Sequence, residues 1–163
     1  MLKNPPEEPI DFKSRFKVMQ YNVLADFYHG IRRIQKLSAE FSLRFPRVQL
    51  ELKTSDSDIM FLQEIDHIDK YKPFLEGIGY QLCFAQRKSD RDCIVVAFKP
   101  TVFELIDEQV VDYNDLAMPG QSLHAKNNKA IITVLKHKHS NRYLVAVNSQ
   151  LYFHPVMDYL KYA

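Results

Sequence analysis

Asp58-Ile59-Met60-Phe61-Leu62-Gln63-Glu64 is a mostly apolar run that stops on a carboxylate. Four of the five residues from Ile59 to Gln63 are large and apolar, so a strand here is predicted to be buried on both faces. An ionisable side chain at the end of such a strand needs a metal, a partner or water. Ligands of open α/β sheets gather beyond the carboxyl ends of the strands, which makes Glu64 the first candidate for chemistry.

Upstream, Phe16-Lys-Val-Met-Gln-Tyr-Asn-Val-Leu24 predicts a second apolar strand running into a turn over residues 22–26, and Asn22 stands at its end. Between the two strands Ile31, Ile34, Leu37, Phe41, Val48 and Leu52 recur at helical spacings. Pro46 interrupts them, so one short or irregular helix and a cleaner one starting at Pro46 are expected. A right-handed helical crossover makes the strands parallel and brings Asn22 and Glu64 to one sheet edge. An amide oxygen and a carboxylate there are hard ligands suited to Mg²⁺. The alternative is that Asn22 caps a turn and Glu64 pairs with a nearby arginine.

Downstream, Ile68, Tyr71, Phe74, Leu75 and Ile78 predict an amphipathic helix over 67–78, with Gly79 capping its end and Pro73 a possible break in its first turn. Strands follow at 80–85, 93–98 and 102–111. A long irregular segment spans 112–126 around Pro119-Gly120, and a hairpin pairs 129–136 with 142–148 around residues 137–141. The start of a helix is expected at 155–163. The order implies an α/β protein, a layered mixed β-sheet with flanking helices.

At 163 residues the chain has the size of one domain, and 46% hydrophobic with 26% charged residues excludes a disordered chain. Residues 1–13 read as a flexible Pro-rich lead-in to a domain over 14–163. Only 4 glycines leave no room for a glycine-rich phosphate loop, and a net charge of +2 does not by itself imply a polyanion partner. Cys83 and Cys93 lack zinc spacing and read as buried thiols in a reducing compartment. No apolar run approaches a membrane span, and the amino terminus lacks a signal-peptide core. The expected location is intracellular, in the cytoplasm first.

Five blocks taken together resemble the endonuclease/exonuclease/phosphatase superfamily. They are Val18-Met-Gln-Tyr-Asn-Val-Leu-Ala-Asp26, Asp58-Ile-Met-Phe-Leu-Gln-Glu-Ile65, Asp92-Cys-Ile-Val-Val-Ala-Phe-Lys99, Lys126-Asn-Asn-Lys-Ala-Ile-Ile-Thr-Val-Leu135 and Val147-Asn-Ser-Gln-Leu-Tyr-Phe-His-Pro155. Within it they are most similar to the branch of carbon catabolite repressor deadenylases, nocturnin, Angel and 2′,5′-phosphodiesterase. The resemblance implies the first half of that superfamily's β-sandwich. It also implies a Mg²⁺-dependent phosphodiesterase of the 3′–5′ exoribonuclease type, with RNA or oligoadenylate as partner. By resemblance Asn22 and Glu64 are catalytic and metal-binding, Asn148 and Gln150 fall in a catalytic Asn-Thr-His-Leu block, and Asn128 and Pro155 contact substrate.

Two departures follow from the same comparison. Gln150 stands where the family has histidine, so a neutral amide either still donates a hydrogen bond at some loss of rate or marks an impaired copy. The family's Asp-x-Asn block and late Asp-His block fall beyond Ala163. The chain is therefore expected to be incomplete as a catalyst, with an apolar face left for the rest of the fold. The alternative is a degenerate copy serving as a structural or interaction subunit, with a protein partner on that face. Another enzyme of the superfamily, acting on DNA, lipid or inositol phosphate, fits the Asp92-Cys93 and Phe153-His-Pro155 blocks less well.

Arg87, Lys88, Arg91, Lys126 and Lys129 could line an RNA channel or simply face solvent. Tyr113 and Phe153 could stack on a base or pack at a rim. His124, His137, His139 and His154 lack metal-ligand spacing, and those at the hairpin tip are expected to be solvated.

Overall fold

The computed structural model describes residues 14–26, 40–87, 92–116 and 126–151. Residues 1–13, the turn 119–120 and the expected helix over 155–163 lie outside them, as do Lys88, Arg91, His124, Phe153, His154 and Pro155. Strand β1 (Val18–Asn22) pairs in parallel with β2 (Ile59–Ile65), in a register that sets Asn22 opposite Gln63. Helix α1 (Phe41–Ser55) lies between them in sequence, and α2 (Ile68–Gly77) follows β2. Strands β3 (Gln81–Gln86) and β4 (Cys93–Phe98) complete a mixed sheet of order β1-β2-β4-β3. Strands β5 (Phe103–Asp112), β6 (Lys129–His137) and β7 (Tyr143–Ser149) form a second, antiparallel sheet in sequential order.

Strand β4 shows why these layers form. All six of its residues are buried, and successive side chains face opposite ways. Cys93, Val95 and Ala97 enter a core with Leu52, Met60, Leu62, Tyr71 and Leu75, on the side where α1 and α2 pack. Ile94, Val96 and Phe98 enter a second core with Phe103, Ile131, Leu135 and Ala146 of the other sheet. Both faces of the first sheet are thus covered, as the unbroken apolar run Ile59–Leu62 requires.

Helix α1 begins five residues before Pro46, which occupies an interior position, so the expected start at Pro46 is corrected. The reason is aromatic packing on the preceding turn. Phe41 and Phe45 stack with centroids 4.7 Å apart, and Phe45 meets the edge of Tyr71 at 4.9 Å. Pro73 is likewise interior to α2, which runs through it. Gly79, at φ 93°, takes the left-handed position after α2 and donates to the Glu76 carbonyl, while Tyr80 N–H donates to Leu75.

Of the hairpin histidines, His139 is exposed but His137 is buried as the last residue of β6, which corrects the expectation for that residue. Its Nδ1 lies 2.8 Å from Ser140 Oγ, and its ring packs against Phe103. The outward side of β7 exposes Tyr143, Val145 and Val147, an apolar column at the edge of the second sheet. No helix among the described residues is long and apolar enough to cross a membrane.

Both cysteines are buried and unpaired, and burial pushes each thiol up to about 12, with Glu108 adding to the effect at Cys83 and Asp92 at Cys93. At pH 8 neither thiol is ionised or accessible in the folded chain. Ellman's reagent is therefore expected to titrate no thiol in native buffer and both in guanidinium; rapid native reaction at either one would contradict this packing.

Candidate active site at the carboxyl ends of β1 and β2

An unbroken β2 would not deliver Glu64 to the sheet edge. Met60 and Leu62 face the helices, and strict alternation would send Glu64 into that same core. The register with β4 instead shifts between Leu62 and Ile65, so that Ile65, and not Glu64, pairs with Cys93. The extra residue forms a β-bulge in which Glu64 adopts φ 60°. The left-handed conformation costs a non-glycine residue roughly 1–2 kcal/mol, and neighbouring contacts must offset it. Ile65 then takes the helix-side core position, and the carboxylate turns toward the ends of β1 and β7.

There Glu64 is 2% exposed and accepts three hydrogen bonds. Asn22 Nδ2 donates to Oε1 at 2.8 Å, Gln150 Nε2 donates to the same oxygen at 3.0 Å, and the Ala25 N–H donates to Oε2 at 3.1 Å. All three donors are neutral. Among the described residues no arginine or lysine pairs with Glu64, so the arginine alternative is not realised. Asn22 does also cap its turn, since its Oδ1 accepts the Leu24 N–H at 3.0 Å where Leu24 has φ 63°. Gln150 Oε1 is buried with no hydrogen-bond partner among the described residues.

The nearby cations are already engaged. Arg44 donates to the Val23 and Leu24 carbonyls and, at 2.6 Å, to Asp26 Oδ1. The Asp26 N–H donates to Asp66 Oδ2 at 2.5 Å, and His67 Nε2 lies 3.3 Å from Asp26 Oδ2. Burial raises the Asp66 carboxyl above the ordinary carboxylate range, against the lowering effect of the Asp26 N–H. Asp26, Asp66 and His67 bring possible ligand atoms within 4.8 Å of one another, but one of the two carboxylates, Asp26, is already paired with the Arg44 guanidinium. Sequence reading missed the cluster. Arg44 belongs to the helical turn that Pro46 had appeared to exclude, and Asp66-His67 carries no motif spacing.

Asn148 lies apart from the Glu64 carboxylate, 3% exposed between the sheets. Its Nδ2 donates to the Leu62 carbonyl at 2.9 Å and the Val95 carbonyl at 2.8 Å, and its Oδ1 accepts from Gln63 Nε2 at 2.7 Å. Arg87 and Asn128 meet each other, with Arg87 Nη2 donating to Asn128 Oδ1, and Arg87 also stands 3.6 Å from buried Asp92. Lys126 is half-buried on the loop entering β6, and Lys129 donates to Asp112 at 2.7 Å. Tyr113 shares a 2.7 Å hydrogen bond with Ser149. Asn22, Glu64 and Gln150 therefore converge, while Arg87 with Asn128 forms a separate group that braces β3 and β4 against β6.

The architecture and these residues can be set beside known proteins. No family model matches the chain. Human protein angel homolog 2 is 30% identical over 144 residues, covering 83% of this chain and 26% of the relative. A Ccr4 subunit, the CCR4-Not complex 3′-5′-exoribonuclease of Neosartorya fischeri, is 27% identical, covering 88% of this chain and 23% of the relative. The crystal structure of ANGEL2, a 2′,3′-cyclic phosphatase bound to adenosine-2′,3′-vanadate, superposes with a TM-score of 0.76 at 27% identity, over 86% of this chain and 42% of that one. The human nocturnin catalytic domain shares the fold, with a TM-score of 0.69 at 23% identity over 86% of this chain and 51% of that one. The chain thus spans about a quarter of the curated relatives and about half of the solved chains.

Replacing Arg44 with Met removes the guanidinium donor from two backbone carbonyls and from Asp26 Oδ1, which should cost about 2 kcal/mol of stability. Urea unfolding at pH 7 measures the loss, and a change under ~0.5 kcal/mol would show that water replaces the guanidinium freely. In sequence and in fold alike, the chain belongs to the deadenylase branch of the endonuclease/exonuclease/phosphatase superfamily.

Proposed function

We propose that this chain carries the metal- and phosphate-binding edge of a Mg²⁺-dependent phosphodiesterase of the 3′–5′ exoribonuclease type. The observation that carries this reading is Glu64, a buried carboxylate without a cationic partner among the described residues, hydrogen-bonded by Asn22 and Gln150 at the ends of three strands. The donor set fits a hard divalent cation. Glu64 supplies charged oxygen and Gln150 Oε1 is a buried acceptor lacking a donor, while Asn22, whose Oδ1 accepts the Leu24 N–H, would have to turn its amide to offer oxygen to the ion. These residues would hold the ion, and a bound Mg²⁺ would polarise a scissile phosphate.

The chain's own groups do the rest. The Ala25 N–H and the two amides fix the carboxylate's orientation, and the αL backbone of Glu64 keeps it at the edge. Substrate reading remains by relationship. Ccr4 is a 3′–5′ exoribonuclease and ANGEL2 a 2′,3′-cyclic phosphatase, so an adenine-bearing RNA end is the substrate class we assign. Pro155, Lys126 and the Arg87–Asn128 pair are proposed for the substrate side, with Lys126 on the phosphate chain and the pair holding the loop in place.

Glu64 meets only neutral donors among the described residues, and we further propose that these 163 residues bind metal without turning over substrate on their own. Gln150 supports the second reading, a degenerate copy acting as a structural or interaction subunit, since it gives Glu64 a neutral partner that cannot carry charge. The exposed column Tyr143, Val145 and Val147 is the face a protein partner would cover.

Calorimetric titration with Mg²⁺ or Mn²⁺ should show saturable binding that weakens at least ~10-fold, about 1.4 kcal/mol, in Glu64→Ala. The same chain should release no AMP from oligoadenylate and leave a 2′,3′-cyclic phosphate end intact. Glu64-dependent turnover would overturn the incomplete-catalyst reading; absence of Glu64-dependent metal binding would favour the subunit reading.

A further inference from the structure

The bulge in β2 sits directly on the Asn148 clamp. Leu62 and Val95 face each other on the last regular rung before the register shifts, and both of their carbonyls accept from the single Asn148 amide group. Gln63, the residue between that rung and Glu64, donates to the Asn148 oxygen from the same strand. Asn148 comes from β7 of the other sheet, so the three bonds cross the sandwich at the one rung where β2 departs from regular pairing.

We infer that Asn148 is a positioning residue for Glu64, holding the bulge in register so that the carboxylate stays at the sheet edge. Its burial leaves it no access to a substrate, and both its donors and its acceptor are used within the protein. The chemistry asks for a primary amide. An aspartate would set an oxygen against two carbonyls, and a leucine would strand both carbonyls and the Gln63 donor. Without the clamp, a shift of one residue would restore simple alternation and return Glu64 toward the helix-side core. In its consequence for metal binding this inference rests on the reading of Glu64 as ligand; the positional claim rests on the hydrogen bonds of Asn148 and the register of β2.

The test uses amide hydrogen exchange by NMR on the metal-free 163-residue chain. The Ala25 N–H, bonded to Glu64 Oε2, reports the carboxylate's place, and the Val96 N–H in the middle of β4 reports global opening. In Asn148→Ala the Ala25 exchange rate is expected to rise about tenfold more than that of Val96. In Leu135→Ala, a core truncation in the same sandwich, the two should rise together within about threefold. Equal rises in Asn148→Ala would overturn the inference. Should that variant fail to fold, Gln63→Leu, which removes one bond of the clamp, carries the same comparison with a smaller expected excess of about threefold. Mn²⁺ titration of the same samples separates the two readings: a wild-type chain with no Glu64-dependent binding removes the ligand role, while the Ala25 comparison still decides the positioning role.

Discussion

One extra residue in β2 governs this structure. Up to Leu62 the strand alternates between two cores and is fully apolar in its demands; the bulge then breaks the alternation and turns a carboxylate away from the helix-side core toward the sheet edge, where it stays buried. Everything near the site follows from accommodating that break. Asn148 and Gln63 fill the gap between the sheets, Ile65 restores the helix-side core, and Asn22, Ala25 and Gln150 receive the side chain that has been turned to the sheet edge.

The electrostatic arrangement has the same logic. The guanidinium beside the loop after β1 is engaged by another acid, Arg44 by Asp26, as is Arg87 by Asp92 in the separate group. Glu64 is left with amide and backbone donors, which orient a carboxylate without neutralising it. A guanidinium in the same place would have made a closed ion pair with little left to offer a cation.

Legibility in the sequence divided along physical lines. The two site strands, their parallel pairing and the convergence of Asn22 with Glu64 could be read from apolar runs ending in polar residues, since burial of both strand faces leaves a compositional trace. The bulge left none, because inserting one residue changes pairing without changing composition. The role of Asn148 was hidden for a related reason: its partners are backbone carbonyls, which every residue possesses. Pro46 misled because local propensity favours a helix start there, whereas Phe41 and Phe45 gain enough by packing on Tyr71 to extend the helix backward. That extension is also what carries Arg44 to the loop after β1.

The two sheets also differ in how far along the chain their contacts reach. Strands β5, β6 and β7 pair with immediate neighbours in sequence, β6 and β7 through a short loop and β5 and β6 across the longer segment 113–128. The site joins residues 42 apart between Asn22 and Glu64 and 86 apart between Gln150 and Glu64. Only the longer of these two spans crosses from one sheet to the other. Asn22 and the Ala25 N–H come with the first sheet itself, whereas Gln150 reaches Glu64 only where the second sheet packs on the first, so docking of the two sheets completes the set of donors around the carboxylate.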